Sequence, residues 1–537
     1  MNVLDRIIGF VSPEAAAKRV AMRAYTKQAE QIMNTGYSNA GASYTKKSLR
    51  GMTGISASPQ LDIDGNLWTL VNRSRMLYMS SPIATSAIKT NKTNVVGAGL
   101  KLKSRIDFEF LGLTEEEADE WESAVEREFA LWADTRECDA LRLNNFYEMQ
   151  ALMLTGELMN GDAFALLKFD QPSWDMPYAL RVQLVESDRI CTPYSFGLPL
   201  AGSATPFWGR NPDNGNTIYS GVEIDDGGAT VAYWLCNQYP YAMAGYAFGA
   251  PTWERIPARG DLSGRPNVLH IFEAERAEQR RGVPILAPVI EELQQLKRYE
   301  QAELMAAVVS SLFTAFVTTE SPQTTMPLGQ AIPDGAAPIY QNDTEYSLGN
   351  GAVVSLAPGE SVSFADPKRP ATAFDGFVDA VSKTIGAGLE IPSDLLLKKF
   401  NASYSASRAA LLEAWKAFQS RRQWLAKEFC EPVYRQFLIE AVARGRIEAP
   451  GFFDDPIRQK AWCGADWNGP AQGMLDPTKE VQAAQQRVEN GFSTREEETI
   501  GLTGGNFKQN ARQLRRENEM LQKANASAGE EVIPNAK

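Results

Sequence analysis

The sequence has few of the side chains that catalytic and metal sites use most. Its 537 residues include a single histidine, His270. The five cysteines are scattered and form no C-x-x-C pair, so neither a zinc site nor a disulfide framework follows from them; they are Cys138, Cys191, Cys236, Cys430 and Cys463. One histidine excludes multi-histidine metal sites and leaves one imidazole for a Ser-His-Asp or Cys-His centre. We therefore predict no metal and no cofactor.

Long apolar runs and an excess of basic charge are also missing. No run of about 18 apolar residues occurs, and the apolar N-terminal patch contains Asp5 and Arg6, so neither a membrane span nor a secretory signal is predicted. Lys and Arg number 54 against 66 Asp and Glu, a net charge of −12. Proteins that coat duplex DNA neutralise its phosphates and are usually basic. Any contact with nucleic acid is therefore expected to be local or weak, in a chain that is soluble and cytoplasmic when made.

Recognisable catalytic motifs are absent as well. The sequence contains no G-x-x-x-x-G-K-[ST], H-E-x-x-H or G-x-S-x-G pattern, and its glycine-rich segments at 97–99 and 501–507 are interpreted as turns. His270 lies in the strand-like NVLHIFE and is predicted to be structural. The acidic run 496–498 follows Thr494 at a predicted helix start, where acidic side chains stabilise the helix. We interpret that run as capping rather than as a metal site.

The chain is too long for one ordinary core, and its regions differ in pattern. Residues 1–60 read as an adaptable arm, with an Ala-rich helix from Pro13 to about Met33 and then a Gly, Ser, Thr and Asn-rich stretch that is expected to stay extended or disordered until bound. Helices are predicted from about residue 67 to 94, at 114–132 with a Thr114/Glu117 capping box, and at 145–160. Short β-rich segments at 162–275 complete an α+β region.

A long helix is predicted next, over 283–317, which would extend roughly 50 Å. Its second half, from Leu304, is apolar nearly all round and needs neighbours to cover it. A Pro, Gly and Thr-rich stretch with a few short strands follows, then a helix at 371–388, a break, and a long helix at about 405–444 with a kink expected at Pro432. Polar helices from 477 to about 523 and a frayed tail end the chain.

Four stretches, in order, resemble the portal family of lambda-like phages. They begin at SPIATSAIKTNKTNVVGAGLKLK, VLHIFEAERAEQRRGVPILAP, LAPGESVSFADPKRP and ADWNGPAQGMLDPTKE, and together span about residues 80–500. The third is the most specific, since it continues through a helix into I-P-S-D-L-L, N-A-S-Y-S-x-S-R-A-A and an aromatic helix.

The resemblance implies an α+β portal fold with wing, long-helix stem, clip, tunnel loop and helical crown. The implied boundaries are as follows: flexible N-terminal arm 1–60, wing 61–282, first stem helix 283–317, clip 318–370, second stem helix 371–391, tunnel loop 392–404, long wing helix and return 405–475, crown and tail 476–537.

The resemblance also implies a function and partners. Family members form a homomeric ring, usually a dodecamer, at one capsid vertex, with a channel through which double-stranded DNA is packaged and ejected. The implied partners are terminase, the major capsid or scaffold protein and the head–tail connector or adaptor, with no membrane partner and no enzymatic activity. Such a chain is assembled in the host bacterial cytoplasm and resides in the virion.

Two sets of site residues are predicted on this basis. A few positive or polar groups would centre the duplex in a mostly repelling channel; the candidates are Lys398, Lys399, Asn401, Ser403 and Tyr404 in the tunnel loop and, more weakly, Lys383. The alternative for the lysine pair is an ordinary solvated turn, and Arg421 and Arg422 are expected to make ion pairs instead. The second set would pack stem helices between subunits: Leu304, Ala307, Val308, Ser311 and Leu312.

Three other interpretations are open at this point. The helix at 283–317 is compatible with a core position in a large monomeric domain. An enzyme, such as a head-maturation protease or a nuclease, is opposed by the missing motifs. A different phage structural protein, such as a tail or adaptor component, is opposed by the stem-like helix and the clip-like insertion that follows it.

Overall fold

The computed structural model describes most of the chain. The described residues are 12–33, 42–43, 46–52, 56–198, 205–240, 250–311, 315–319, 360–364, 374–400, 403–474 and 476–530. They divide into two units, Met1–Asp62 and Ile63–Lys537. The first unit contains the predicted helix, α1 (Pro13–Met33), and a short 3₁₀ turn at Lys47–Leu49. Much of the predicted extended stretch, and nearly all of the predicted clip, lie outside the described residues.

In the described part of the chain, three of the first five helices of the second unit are bounded by local capping chemistry. The five helices are α2 (Gly65–Ser80), α3 (Pro82–Val95), α4 (Phe108–Leu111), α5 (Glu115–Ala133) and α6 (Phe146–Asn160). The predicted Thr114/Glu117 capping box is present at the start of α5, and Asn145 with Glu148 forms a second one at α6. Reciprocal bonds of this kind satisfy amide groups that a helix start leaves without partners. The predicted starts of α5 and α6 are confirmed.

Within the described residues, the strands form four antiparallel sheets, and most lie where β-rich segments or strands are predicted. One sheet has the order β3–β2–β9 and a second the order β4–β5–β6–β7–β8. A two-stranded pair joins β1 to β12. The strands up to β9 are β1 (Lys101–Ser104), β2 (Asp162–Phe169), β3 (Leu180–Val185), β4 (Trp208–Arg210), β5 (Thr217–Tyr219), β6 (Val222–Ile224), β7 (Thr230–Cys236), β8 (Trp253–Pro257) and β9 (Val268–Phe272).

The helix predicted over 283–317 is shorter in the structure, and this prediction was wrong at both ends. A 3₁₀ turn at Ala287–Val289 precedes α7 (Ile290–Ser311). Pro288 lacks a backbone N–H and cannot donate to the residue four positions earlier, so a regular α-helix does not extend back through this turn. Residues Ala315–Thr319 form strand β10, which pairs with β11 (Glu360–Phe364). The run AFVTT is rich in β-branched and aromatic residues, and apolar periodicity cannot separate strand from helix in so short a segment.

Among the residues that the structure describes, the elements that follow β11 are helical except for one strand. They are α8 (Phe374–Gly388), α9 (Ser393–Leu397), α10 (Tyr404–Leu425), α11 (Glu431–Ala443), α12 (Pro456–Trp462), β12 (Ala465–Asn468), α13 (Pro477–Glu489), α14 (Arg495–Thr503) and α15 (Phe507–Glu530). A π-helical turn at Ala426–Cys430 joins α10 to α11 immediately before Pro432. Proline removes one backbone donor and crowds the preceding turn, so this irregularity lies where the kink is expected. Thr494 and Glu497 form the predicted cap of α14.

An aromatic core holds the α5, α6 and α11 helices together. The Phe129 ring makes edge contacts with Phe146 at 5.6 Å and with Phe437 at 5.2 Å between centroids, and all three are fully buried. Such pairs contribute beyond the burial of their area. A smaller core lies around Phe164 and Tyr233, whose centroids are 5.9 Å apart, between the two larger sheets. Within the described residues, no helix is both long and apolar enough to cross a membrane.

Candidate functional site

The segment predicted to face the channel starts with a tight reversal after α8. The amide of Ile391 donates to the carbonyl of Gly386 at 2.9 Å. A Cβ at Gly386 would lie 2.5 Å from the Ile391 carbonyl oxygen, so only glycine fits this approach. Glu390 completes the reversal with a left-handed backbone, at φ 57°. This geometry carries the chain directly into α9, a short helix inside the predicted tunnel loop that the sequence pattern did not indicate.

Helix α9 is held against α3 by two side-chain hydrogen bonds. Ser86 Oγ donates to the carbonyl of Leu396 at 2.7 Å, and Lys398 Nζ donates to Thr90 Oγ1 at 2.7 Å. Lys398 is the left-handed residue that ends α9, at φ 55°. Partial burial lowers the pKa of its ammonium group. The lysine predicted to reach DNA is thus anchored to α3.

Two arginines on α10 fix the other side of α3. Arg421 donates to Asn91 Oδ1 at 2.8 Å and pairs with Glu390 at 3.2 Å, which agrees with the expected ion pair. Arg422 instead donates to backbone carbonyls of Asn94 and Val95 at the end of α3 and of Pro470, and stacks over Trp415. The prediction of an ion pair for Arg422 was therefore wrong. The carbonyl oxygens that a helix end leaves without partners accept hydrogen bonds from a guanidinium, just as the oxygens of a carboxylate do. Burial lowers its pKa to about 10.

A cluster of buried charges lies at the start of β2. Asp162 and Arg281 are both at most 3% exposed and pair through Oδ2 and Nε at 2.5 Å. The guanidinium lowers the pKa of Asp162 even though burial alone would raise it. Arg281 also donates to the carbonyls of Ile190 and Ser220, and so ties three segments together.

The single histidine belongs to the same cluster. His270 Nε2 lies 3.5 Å from Asp162 Oδ2, and its ring stacks on Phe164 at 4.2 Å and contacts Phe272 at 4.6 Å. Burial lowers the pKa of His270, which favours the neutral ring. Nearby, burial raises the pKa of Glu157 to about 8. The positive charge of Arg421 opposes this rise, and the negative charge of Glu273 adds to it. The buried, stacked and neutral ring of His270 fits a structural role.

The two predicted stem helices meet at one end and are exposed at the other. Leu293 of α7 and Ile385 of α8 are almost fully buried. Farther along, Tyr299 contacts Phe377 with ring centroids 4.7 Å apart. Beyond that contact, Leu304 is 65% exposed and Met305 is 61% exposed. Ala307 and Val308 are also exposed, Ser311 is the last helical residue, and Leu312 lies outside the described residues.

The remaining predicted channel residues occupy different environments. Lys399 is exposed, and Lys383 is exposed and pairs with Asp379 one turn earlier at 2.6 Å. Ser403 caps α10 by accepting a bond from the Ala406 amide. Tyr404 is the first residue of α10, and Asn401 lies outside the described residues. The structure therefore brings Lys398 and Lys399 together and leaves Lys383 on α8.

Sequence reasoning missed the polar stripe of α3 that holds α9 and α10. Ser86, Thr90 and Asn91 recur at helical spacing, and the last two are at most 2% exposed. Polar side chains on the buried face of a helix need partners, so this spacing was a usable signal. Within the described residues, no group of three or more His, Cys, Asp or Glu side chains is arranged to hold a metal ion.

Comparison with known proteins identifies the class. The model of the lambda family of phage portal proteins matches residues 45–422. Among curated proteins, the portal protein of Escherichia phage N15 is 26% identical over 481 residues, 86% of each chain. Portal protein B of Escherichia phage lambda is 26% identical over 446 residues, 79% of each chain. A probable portal protein of Halomonas phage phiHAP-1 is 22% identical over 426 residues, 78% of this chain and 74% of that one.

Among solved structures, the chain is matched by proteins of gene transfer agent (GTA) particles. The neck of the native particle, computed with C12 symmetry, has a chain 12% identical with a TM-score of 0.40, covering 81% of this chain and 93% of that one. The neck of the empty particle, computed with C6 symmetry, gives 12% identity, a TM-score of 0.42, and 81% and 94% coverage.

The family and sequence matches place the chain among phage portal proteins. The family model covers more than half of the sequence, so the chain belongs to the lambda family of phage portal proteins and has the α+β portal fold.

Proposed function

We propose that this chain forms a closed ring of identical subunits, expected to be twelve, around a channel that passes double-stranded DNA into and out of the capsid. The observation that carries this proposal is the apolar surface on α7 beyond the α7–α8 contact. Leu304 and Met305 are each more than three-fifths exposed there, and Phe377 of α8 is 47% exposed.

An exposed apolar surface of this kind favours assembly. Full burial of one large apolar side chain contributes about 1.5–3 kcal/mol, and a ring repeats the gain at every interface. A closed ring requires that two different faces of the subunit meet and that the rotation between copies closes. We therefore assign α7 and α8 as stem helices, 61–282 as wing, 318–370 as clip and 476–537 as crown and tail.

The channel proposal rests on charge and on the position of α9. The chain is acidic overall, with a net charge of −12, so most of a channel wall built from it would repel phosphates. Each added phosphate contact increases affinity and would slow sliding, so few positive groups are wanted. We propose that Lys398 and Lys399, at the end of α9, are among them, and that 392–404 is the tunnel loop. Two left-handed residues, Glu390 and Lys398, bracket α9 and mark where the segment would pivot.

The partners proposed for this ring are those expected of the family. Terminase and then the head–tail connector or adaptor would dock at the clip, and the major capsid or scaffold protein would contact the wing. We propose a structural rather than an enzymatic role for the chain in the virion.

Imaging of the purified full-length chain tests the ring proposal. We expect negative-stain images of closed rings with a central hole and a mass that is a whole multiple of the 59.2 kDa subunit. A protein that stays monomeric at every concentration, with α7 covered by its own chain, would overturn the proposal.

A further inference from the structure

We propose that Lys89 on α3, together with Lys398 and Lys399, forms one phosphate-contacting surface at the corner between α3 and α9. This inference rests on the proposed channel function and adds a residue on a helix outside the tunnel loop. We call this surface the α3–α9 corner and define it by these three lysines. Its ligand is the backbone of duplex DNA.

The hydrogen bonds between α3 and α9 fix the position of Lys89. Ser86 and Thr90 are the α3 residues that bind α9. Each residue of an α-helix turns the side-chain direction by about 100°. Viewed along the axis of α3, the side chain of Lys89 therefore points about 80° away from the average direction of Ser86 and Thr90. Lys89 is exposed and is the immediate neighbour of Thr90, the residue that holds the Lys398 ammonium group. A side chain as long as lysine, extended from this position, flanks the surface that carries Lys398 and Lys399.

The three lysines of the corner lack acidic partners. Among the described residues, no carboxylate lies within ion-pair distance of Lys89 or Lys399, and the Lys398 ammonium contacts a hydroxyl group. Of the acidic side chains on the neighbouring chain segment, Glu390 pairs with Arg421 on α10. Positive charge thus accumulates here without compensation in an acidic chain.

Several other lysines of the second unit are paired with carboxylates. Each of a widely spread set is within 4 Å of a carboxylate: Lys101 with Asp134, Lys103 with Glu126, Lys416 with Glu413, and Lys508 with Asp119. Structural pairing accounts for those four cations. The three lysines of the α3–α9 corner differ from them in lacking a carboxylate within ion-pair distance, and they lie on two elements that side-chain hydrogen bonds join. A group of such cations favours a polyanion, because each neutralised phosphate releases counterions.

Lys92 on the same helix provides a matched control. It is also exposed, but its direction lies about 140° from the mean of Ser86 and Thr90, away from α9. It lies in the last turn of α3, where a cation stabilises the helix C-terminus. Lys92→Glu makes the same change of net charge as Lys89→Glu at a position that points away from the corner.

The test uses rings of the full-length protein and a short, blunt-ended, fluorescein-labelled duplex, with anisotropy measured across a salt series. We expect Lys89→Glu to weaken binding and to reduce the slope of log K against log salt by at least about 0.9, the value of one phosphate contact. Lys89→Arg should keep the wild-type slope, and Lys92→Glu should reduce it less than Lys89→Glu. In addition, duplex should protect Lys89 of wild-type rings from amine acetylation and leave Lys92 reactive.

The outcomes separate this inference from the proposed function. Wild-type rings in which Lys89 stays fully reactive in the presence of duplex, or in which Lys89→Glu and Lys92→Glu give the same slope, overturn the α3–α9 corner and leave the ring intact. Failure of the wild-type chain to form rings overturns both. The acetylation measurement needs no variant, so it decides the matter even if Lys89→Glu assembles poorly.

Discussion

Lys398 and Thr90 lie 308 residues apart in the chain, and Lys398 Nζ donates a 2.7 Å hydrogen bond to Thr90 Oγ1. Thr90 is 2% exposed, so the bond fastens the end of α9 to the interior face of α3. The proposed tunnel loop is therefore held in part by α3, which lies in the proposed wing.

Removal of the Thr90 hydroxyl tests this anchor. Thr90→Val keeps the shape and removes the acceptor, so we expect a loss of about 1 kcal/mol in the free energy of unfolding, the usual value of one such bond. The matched control is Thr93→Val on the exposed side of α3, where Thr93 Oγ1 donates only to the carbonyl one turn earlier. Urea unfolding of both variants checks the prediction, and equal losses would contradict it.

Charge reversal of the lysine pair tests the channel contact. We expect Lys398→Glu with Lys399→Glu to lower both the amount of DNA packaged per particle and its retention, because the change replaces attraction to phosphates with repulsion. Lys416→Glu, at an exposed lysine paired with Glu413, is the control. Quantitative PCR of purified particles measures the effect. Packaging and retention at wild-type levels in the double variant would refute the contact.

The buried pair of Asp162 and Arg281 should be a major determinant of stability. Arg281→Met leaves an unpaired buried carboxylate, and we expect a loss of about 3–5 kcal/mol in the free energy of unfolding. Arg105→Met is the control, because Arg105 pairs with Asp466 at 3.0 Å with both side chains more than half exposed. That change should cost less than about 1 kcal/mol. Similar losses in both variants would show that burial of the pair is unimportant.

Glu157 should make stability depend on pH near neutrality. Burial raises its pKa to about 8, whereas an unfolded glutamate titrates near about 4.3. Between those values the native state holds a proton that the unfolded state has lost, so this group makes the free energy of unfolding fall as pH rises. The limiting slope is about 1.4 kcal/mol per pH unit.

Comparison of Glu157→Gln with the wild type isolates that contribution. The variant should gain stability relative to the wild type as pH rises from about 5 to about 8, since glutamine cannot titrate. Glu115→Gln, at an exposed glutamate in the first turn of α5, should run parallel to the wild type. Parallel curves for Glu157→Gln as well would show that its pKa is ordinary.

The parts of the fold that depend on neighbouring residues could be predicted, and those that depend on distant ones could not. The starts of α5, α6 and α14 follow from a Thr or Asn three residues before a Glu, which is local chemistry. The short helix α9 was missed, since five residues carry little periodicity. The end of α7 was misplaced because short apolar runs fit strand and helix alike.

The candidate site shows the same limit. Lys398 and Lys399 could be proposed from charge and resemblance, but the Thr90 partner of Lys398 lies in a helix that the chain reaches hundreds of residues earlier. Arg422 was expected to find a carboxylate and instead binds the carbonyls that end α3. Partners of this kind depend on tertiary contacts that no local pattern encodes.

Closure of the ring through the α7 surface is the central claim, and one substitution tests it most directly. Leu304→Glu places a charge on a side chain that is 65% exposed in the subunit, so the fold should persist while the interface fails. Leu131→Glu on α5 is the matched control, because Leu131 is a helical leucine with 66% exposure away from α7. The measurement is the mass distribution of each purified protein in solution. We predict rings for the wild type and Leu131→Glu and folded monomers for Leu304→Glu; rings of unchanged mass and stability in Leu304→Glu would contradict the account.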